Sequence, residues 1–410
     1  MNLTQAEDYL LGLELFGMRF GLDRMHKLMT ALGMPQRRFA SVHVVGTNGK
    51  SSTTRFTAAI LEREGLATGI YTSPHLRGFP ERIEIRERPL GDAEFAEAVA
   101  RAAHAAELVN RTLAEGDEVT QFEALTAAAY HALARAGVDV AVIEAGLGGR
   151  YDATNVIPSK VQVLTSVGLD HTRWLGSTIE AIADEKLAVV RDHATLVVPP
   201  DLDPAAAAVA ERVRDERHAR LLRAESDLGL PLAARGAFQR HNFALAAAAA
   251  GAFLERAPDV EALRAAAAET SVPGRMQVVS DSPMVVYDGA HNPAGAAAVA
   301  ESLPEVVGRR RLVGVVSILD DKDAAAMLEP LLPEFAHVVF TRTSNPRAFP
   351  PATLAHLAGR PDAEVVPEPR KALGRARELA GADGAVLATG SIYLIADLVR
   401  EPGQARVSMI

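Results

Sequence analysis

Short runs of β-branched and apolar residues recur along this chain. They end in Gly or Asp/Asn and are followed by helical stretches. Strand candidates are 41–45, 68–71, 138–144, 161–166 and 195–198, then a second series at 284–287, 312–316, 337–340, 364–366 and 385–388. Helical patterns fall between them, for example at 50–63, 92–113, 122–136, 177–190 and 371–379. Strands alternating with helices predict an α/β fold of parallel sheets covered by helices. Two such series predict two α/β domains. The Ala-rich helical segment 236–267 ends the first series, and Ser271–Gly274 is the expected hinge, giving domains of 1–273 and 274–410. The longest apolar run, Phe243–Leu254, is well short of the roughly 20 residues that span a bilayer, so it reads as a buried helix.

Composition narrows the function. The 410 residues are 48% hydrophobic and 23% charged, values of a globular chain of two or three domains. The formal net charge of −9 argues against a protein built to neutralise nucleic-acid phosphates, though a local basic pocket remains open to a small anion. Cysteine is absent, so any metal must be held by oxygen or imidazole and no thiol can act as nucleophile. Glu7, Asp8 and Glu14 interrupt the apolar N-terminal stretch, which therefore does not read as a signal peptide. A soluble, cytoplasmic protein is expected.

The strongest chemical signal is an apolar strand running into Gly46, Thr47, Asn48, Gly49, Lys50, Ser51, Ser52 and Thr53, then a helix. Glycines turn backbone N–H groups towards an anion, and the helix N-terminus adds positive potential. Lys50 can neutralise β/γ-phosphate charge and a hydroxyl can reach Mg²⁺. Only Thr47 and Asn48 separate the glycines, where the usual phosphate loop has four residues; a merely capped helix start is the plainer alternative. Glu144 closes a buried-type strand, at the position where a carboxylate near a phosphate loop would hold Mg²⁺ or, more simply, cap a helix. Asp170 and His171 follow the next strand, Lys186 lies on a helix where solvation is its ordinary fate, and Ser73 precedes Pro74 after the 68–71 strand. The second series has Asp288, His291 and Asn292 after a strand, an N-cap arrangement or a ligand site, with Arg275 upstream.

Taken together, these segments resemble folylpolyglutamate synthase and the bifunctional dihydrofolate synthase/folylpolyglutamate synthase of the Mur ligase superfamily. The matching motifs are GTNGK at 46–50, TSPHL at 72–76, ERI at 81–83, GLGGRYDATN at 146–155, DHTRWLG at 170–176, EK at 185–186, PGR at 273–275 and DGAHNPAG at 288–295, within a likeness running from Phe16 to Leu394. The resemblance implies a P-loop, Mur-ligase-like ATP-binding domain and a smaller Rossmann-like C-terminal domain. It also implies ATP-dependent amide ligation: a substrate carboxylate takes the γ-phosphate, and the amine of L-glutamate then displaces phosphate. By the same resemblance residues 46–53, Asn242, Arg275 and Asp288 contact ATP, and His291 lies close to the transferring phosphate. Ser73, Glu144, His171 and a carbamylated Lys186 would hold Mg²⁺, in two sites, and the hydroxyl that Ser51 supplies beside Lys50 is expected to join them. Phe20, Gly21, Leu22, Gln121, Phe122, Glu123, Tyr151, Asp152 and Ala153 would serve the pterin of dihydropteroate or a reduced folate. Two positions depart from the pattern: Ser51 replaces a more usual glycine, and Tyr151 a more usual leucine.

Three other readings compete. A monofunctional folylpolyglutamate synthase differs only in its pterin substrate. A cell-wall Mur ligase would carry an extra domain before the phosphate loop, and only about 45 residues precede Gly46. A nucleotide-dependent switch would need neither Glu144, His171 and Lys186 nor a second ATP-contacting domain. A monomer binding ATP, L-glutamate and a pterin substrate, without nucleic acid or membrane, is the expectation carried forward.

Overall fold

A computed structural model describes residues 1–13 and 21–400. Phe20, and Phe16 at the start of the resemblance, lie outside the described residues. The chain folds as two compact units, one of Met1–Pro231 with His241–Thr270, the other of Leu232–Arg240 with the chain from Ser271 onwards.

The first unit is built on a sheet of eight strands among the described residues. They are β1 (Ala40–Val45), β2 (Thr68–Tyr71), β3 (Ile83–Ile85), β4 (Arg88–Pro89), β5 (Val140–Glu144), β6 (Val161–Leu164), β7 (Thr195–Val198) and β8 (Arg220–Arg223). Their spatial order is β4-β3-β2-β5-β1-β6-β7-β8. The wholly parallel expectation needs correction at the edge, where β3 runs antiparallel to both β2 and β4. β1, β2, β5 and β6 are buried almost throughout, as parallel strands covered on both faces must be. β1 lies between β5 and β6, so its carboxyl end opens into a crevice flanked by the ends of both neighbours.

Helix Lys50–Arg63 leaves that crevice and buries Phe56, Ile60 and Leu61. The Phe56 ring meets Phe243 edge-on, with centroids 5.2 Å apart, in the geometry aromatic quadrupoles favour. The Ala-rich segment is two helices, Ala237–Leu254 and Val260–Glu269. The first stops where Glu255 takes a left-handed φ of 57°, and Asp259 caps the second by accepting from Glu261 N and Ala262 N.

The second unit has β9 (Gln277–Asp281), β10 (Met284–Tyr287), β11 (Leu312–Val316), β12 (His337–Phe340), β13 (Glu364–Val365) and β14 (Ala385–Thr389). Their order is β13-β12-β11-β14-β10-β9, with β9 antiparallel to β10 and the other pairings parallel. It has a core of its own, including Val286, Val316, Met327, Val338, Phe340 and Leu387. No helix of the described residues is long and apolar enough to cross a membrane.

Candidate active site

The phosphate-type loop leaves β1 at Gly46 and enters helix Lys50–Arg63 through Gly49, whose φ of 85° is the left-handed conformation glycine takes without strain. The loop is shaped from outside. Asn48 N donates to Ser166 Oγ at 2.9 Å, and Thr165 Oγ1 donates to Asn48 O at 2.6 Å. Thr47 N donates to Ser166 O at 2.9 Å, while Thr47 Oγ1 accepts from Gly168 N at 3.0 Å. A Cβ on Gly46 would overlap Thr165 Oγ1, and one on Gly49 would come within 2.5 Å of Asn242 Oδ1. The end of β6 therefore clamps a loop that is two residues shorter than the usual one. The strand expected to reach Ser166 ends at Leu164, which releases the Thr165 and Ser166 hydroxyls for this clamp.

Two lysines converge on one carbonyl of the loop. Lys50 Nζ donates to Gly46 O and Thr47 O, each at 3.1 Å, and Lys186 Nζ donates to Gly46 O at 2.8 Å. Lys186 is only 3% exposed, so its solvated alternative is wrong. Burial first and the Lys50 charge second lower its pKa from the ordinary 10.5 to about 7, against the pull of Asp170, Asp152 and Glu185. Its helix, Ile179–Leu187, is joined to the loop after β5. Arg150 N donates to Glu185 O at 3.0 Å, and the Arg150 guanidinium bonds Glu185 at 3.1 Å and Asp184 at 2.7 Å. A Cβ on Gly149 would lie 2.5 Å from Lys186 O, so that close approach needs glycine.

Glu144, at the end of β5, is buried and reaches two other candidates. Ser51 Oγ donates to its Oε1 at 2.9 Å, and Ser73 N to its Oε2 at 3.2 Å. His171 takes a left-handed φ of 50°, and its half-exposed ring lies 3.8 Å from Asp170 Oδ1. Among the described residues no three or more His, Asp or Glu side chains cluster as a metal site. The expected ligand set has only one carboxylate and one imidazole, the rest being hydroxyls and a lysine.

The pterin candidates gather around the loop after β5. The Phe122 ring stacks with Tyr71 at 6.2 Å and lies so close to Gly146 that a Cβ there would be 2.6 Å from Phe122 Cζ. Tyr151 is exposed and Ala153 buried. Asp152 is buried, with its carboxylate receiving Leu147 N at 2.8 Å, Thr154 N at 3.0 Å and the Thr154 hydroxyl. Gln121 Nε2 donates to Leu10 O at 2.7 Å, and Glu123 binds Arg24 Nε at 3.0 Å while capping its own helix. Gly21 has a φ of 129°, and Leu22 packs against the first unit's core.

In the second unit, Asp288 at the end of β10 accepts from Met276 N at 2.9 Å and Ala290 N at 2.7 Å. Gly289 N donates to Gly274 O at 2.8 Å, and a Cβ on Gly289 would sit 2.6 Å from Arg275 Nη1. Arg275, Asp288 and His291, whose Nδ1 lies 3.0 Å from Gly289 O, thus belong to one folded-together turn. Asn292 caps the following helix, Pro293–Val307, by accepting from Gly295 N at 2.8 Å.

Comparison with known proteins places this geometry. The Mur ligase middle domain matches residues 44–227, and the Mur ligase glutamate ligase domain matches residues 274–392. A dihydrofolate synthase/folylpolyglutamate synthase of Mycobacterium tuberculosis is 37% identical over 378 residues, covering 82% of this chain and 77% of that protein. Its Bacillus subtilis counterpart is 32% identical, covering 96% and 97%. The M. tuberculosis folylpolyglutamate synthase solved with ADP and AMPPCP superposes with a TM-score of 0.89 at 33% identity over 97% of both chains. Escherichia coli FolC, solved with DHPP and ADP, gives 0.87 at 30% identity over 97% of both. The chain belongs to the dihydrofolate synthase/folylpolyglutamate synthase family of Mur ligases.

For a member of this family, motif reasoning passed over Thr165, Ser166 and Arg150 as working parts. The first two are ordinary strand-end hydroxyls in a sequence, and only the fold brings them to Asn48. Arg150 had a signal, since it sits inside GLGGR, but its partners Asp184 and Glu185 lie on a later helix.

Proposed function

We propose that this protein is an ATP-dependent ligase that adds L-glutamate to dihydropteroate and to reduced folates. The observation that carries the reading is the convergence of Lys50 and Lys186 on the Gly46 loop, beside a Glu144 already engaged with Ser51 and Ser73. Residues 46–53 wrap the triphosphate of ATP, with Asn242, Arg275 and Asp288 as further contacts. The pterin carboxylate attacks the γ-phosphorus in line, ADP leaves, and an acyl phosphate results. The glutamate amine then attacks the acyl carbon, phosphate departs, and the amine's proton is lost as the amide forms. Both reactants in the first step are anions, so fixed cations at Lys50 and Arg275 lower its barrier by offsetting their repulsion. Positioning and electrostatics suffice for phosphoryl transfer, which suits a chain without cysteine.

The donor set fits Mg²⁺, a hard cation that takes oxygen ligands. Ser51, Ser73, Glu144 and His171, with Lys186 as a carbamate, would hold two ions, which when bound supply Lewis-acid stabilisation of phosphate charge. An amine with a pKa of about 7 is substantially unprotonated at neutral pH, so its lone pair can add to CO₂ and lose a proton to give that carbamate. Phe122, Tyr151 and their neighbours take the pterin, with residues 1–273 serving ATP and pterin and residues 274–410 the glutamate ligation. The reading includes a cytoplasmic monomer that binds neither nucleic acid nor membrane. Incubation with ATP, Mg²⁺, glutamate and dihydropteroate tests it: dihydrofolate and ADP form in equal amounts. Turnover with tetrahydrofolate alone would instead establish the monofunctional enzyme, and no glutamate-dependent ADP release with either would reject ligation.

A further inference from the structure

His43 is a buried titratable side chain that the reaction above does not use. It lies on β1, wholly buried, with Nε2 2.8 Å from Thr154 Oγ1 and with Nδ1 unpartnered among the described residues. Thr154 Oγ1 is in turn in short contact with Asp152 Oδ1. Tyr130 OH donates to Thr154 O at 2.9 Å and fixes the backbone of that turn. Asp152 receives Thr154 N on the same oxygen and Leu147 N on the other. The three side chains form a line from the centre of the sheet to the loop after β5.

Thr154 has a single hydroxyl proton, so the line can be wired in two directions. Either His43 Nε2–H donates to Thr154 and Thr154 donates to an ionised Asp152, or a protonated Asp152 donates to Thr154 and Thr154 donates to a bare Nε2. The second wiring places the ring proton on Nδ1, leaving a buried N–H donor without an acceptor, which native structures rarely tolerate. The first leaves only an acceptor lone pair unmade. Burial raises the Asp152 pKa, and the N–H donors of Leu147 and Thr154 oppose that rise in favour of the carboxylate this wiring uses. Burial and the nearby Arg191 charge hold the ring neutral, as this wiring requires, with a pKa lowered to about 3.

We infer that His43 is a positioning residue for the substrate loop 146–153: its Nε2–H turns the Thr154 hydroxyl onto Asp152, which draws in Leu147 and fixes the loop against Phe122. The inference deepens the proposed function and rests on reading that loop as part of the pterin site. Two further observations agree with it. Gly146 packs directly on the Phe122 ring, and Asp152 N donates to Gly149 O at 3.2 Å, so the loop is tied at both ends of its turn. His43 itself reaches none of the reacting groups; it acts through Thr154.

Three full-length variants test the inference. His43→Leu removes the donor, His43→Gln places an amide N–H near the position of Nε2, and Thr154→Val removes the relay at constant shape. Amide exchange over residues 145–153 and the KM values for dihydropteroate and ATP are measured on each, with Phe122→Ala as control. His43→Leu and Thr154→Val are expected to speed exchange of the loop and raise the pterin KM about tenfold, the cost of one buried hydrogen bond left unmade. The ATP KM should move much less, and His43→Gln should recover both readouts. Unchanged loop exchange in His43→Leu, or a Gln variant as defective as the Leu variant, overturns the inference. So does a higher pterin KM in Phe122→Ala with none in His43→Leu. Faster exchange rescued by Gln, with no KM change in either His43→Leu or Phe122→Ala, keeps the positioning role and rejects the pterin reading. Nitrogen chemical shifts of the His43 ring give a separate check: a protonated Nδ1 overturns the wiring.

Discussion

Lys186 and His43 show how burial turns an ordinary side chain into a chemical one. An exposed Lys186 would be a spectator; buried against Gly46 O and facing Lys50, it becomes an amine that titrates near neutrality. Lys186→Ala should therefore lose nearly all turnover while folding normally, and short carboxylates should restore part of it; full activity without them would reject the carbamate role. Lys50→Ala and Glu144→Ala should each lower kcat/KM by on the order of 10³ or more, as removal of preorganised phosphate and metal contacts does, and steady-state kinetics at saturating Mg²⁺ measure this. For His43 the consequence is acid lability. Its pKa falls from the ordinary 6.5 to about 3 in the folded chain, so between those values the unfolded chain binds a proton that the folded chain does not. Stability from this group is thus complete above pH 6.5 and declines as pH falls towards 3, by at most about 1.4 kcal/mol per pH unit. Urea unfolding of wild type and His43→Leu across that window reads it directly: the variant should have the shallower slope.

The loop and strands explain what the sequence could and could not disclose. β5, β10 and β11 were legible because strands buried on both faces are near-continuous apolar runs, and β1 because only Ser41 and His43 break its apolar pattern. β3, β4, β8 and β9 were not, because edge strands carry charge: Arg220 and Arg223 bracket β8, and Glu84 and Arg88 sit on the outer hairpin. The 138–144 reading ran two residues too far, since β5 begins at Val140, although Asp139 still bonds both flanking segments, its N donating to Ala67 O at 2.8 Å and its O accepting from Ala40 N at 3.0 Å. Within the candidate site, residues contiguous in one motif were readable, and residues joined only by the fold were not. The β6 clamp is the clearest example. Ser166→Ala removes a hydroxyl that both accepts from Asn48 N and lies 3.1 Å from Asn48 O, and should raise the KM for ATP about three- to tenfold with kcat less affected. Gly46→Ala should be far worse, since its Cβ has no space beside Thr165 Oγ1 and its φ of 154° disfavours a side chain. Nucleotide binding by calorimetry should be undetectable in that variant, whereas a Gly46→Ala protein that binds ADP normally would mean the loop is not clamped as described.

At the scale of the whole molecule, the two units are separately cored, and this separates stability from chemistry in a testable way. The first unit's central sheet is covered by helices that bury residues such as Phe56, Tyr130 and Leu133, and the second has its own cluster around Phe340, Leu354 and Leu387. Phe340 is wholly buried on β12, paired in register with Val316 of β11. Replacing it by alanine removes a ring from a close-packed interior and should cost about 3–5 kcal/mol. Because the lost packing lies in the second unit's own cluster, that unit should open first, and thermal unfolding of Phe340→Ala should resolve into two transitions. Hydrogen exchange across the lower transition should show β10, β11 and β14 unprotected while β1, β5 and β6 remain closed. Ligation calls on Arg275 and Asp288 in the proposed function, so glutamate-dependent ADP release should vanish with the lower transition even though the phosphate loop is still folded. A single transition in which β1 and β11 lose protection together would show instead that the units fold as one cooperative block. Activity would then report on the stability of the entire chain.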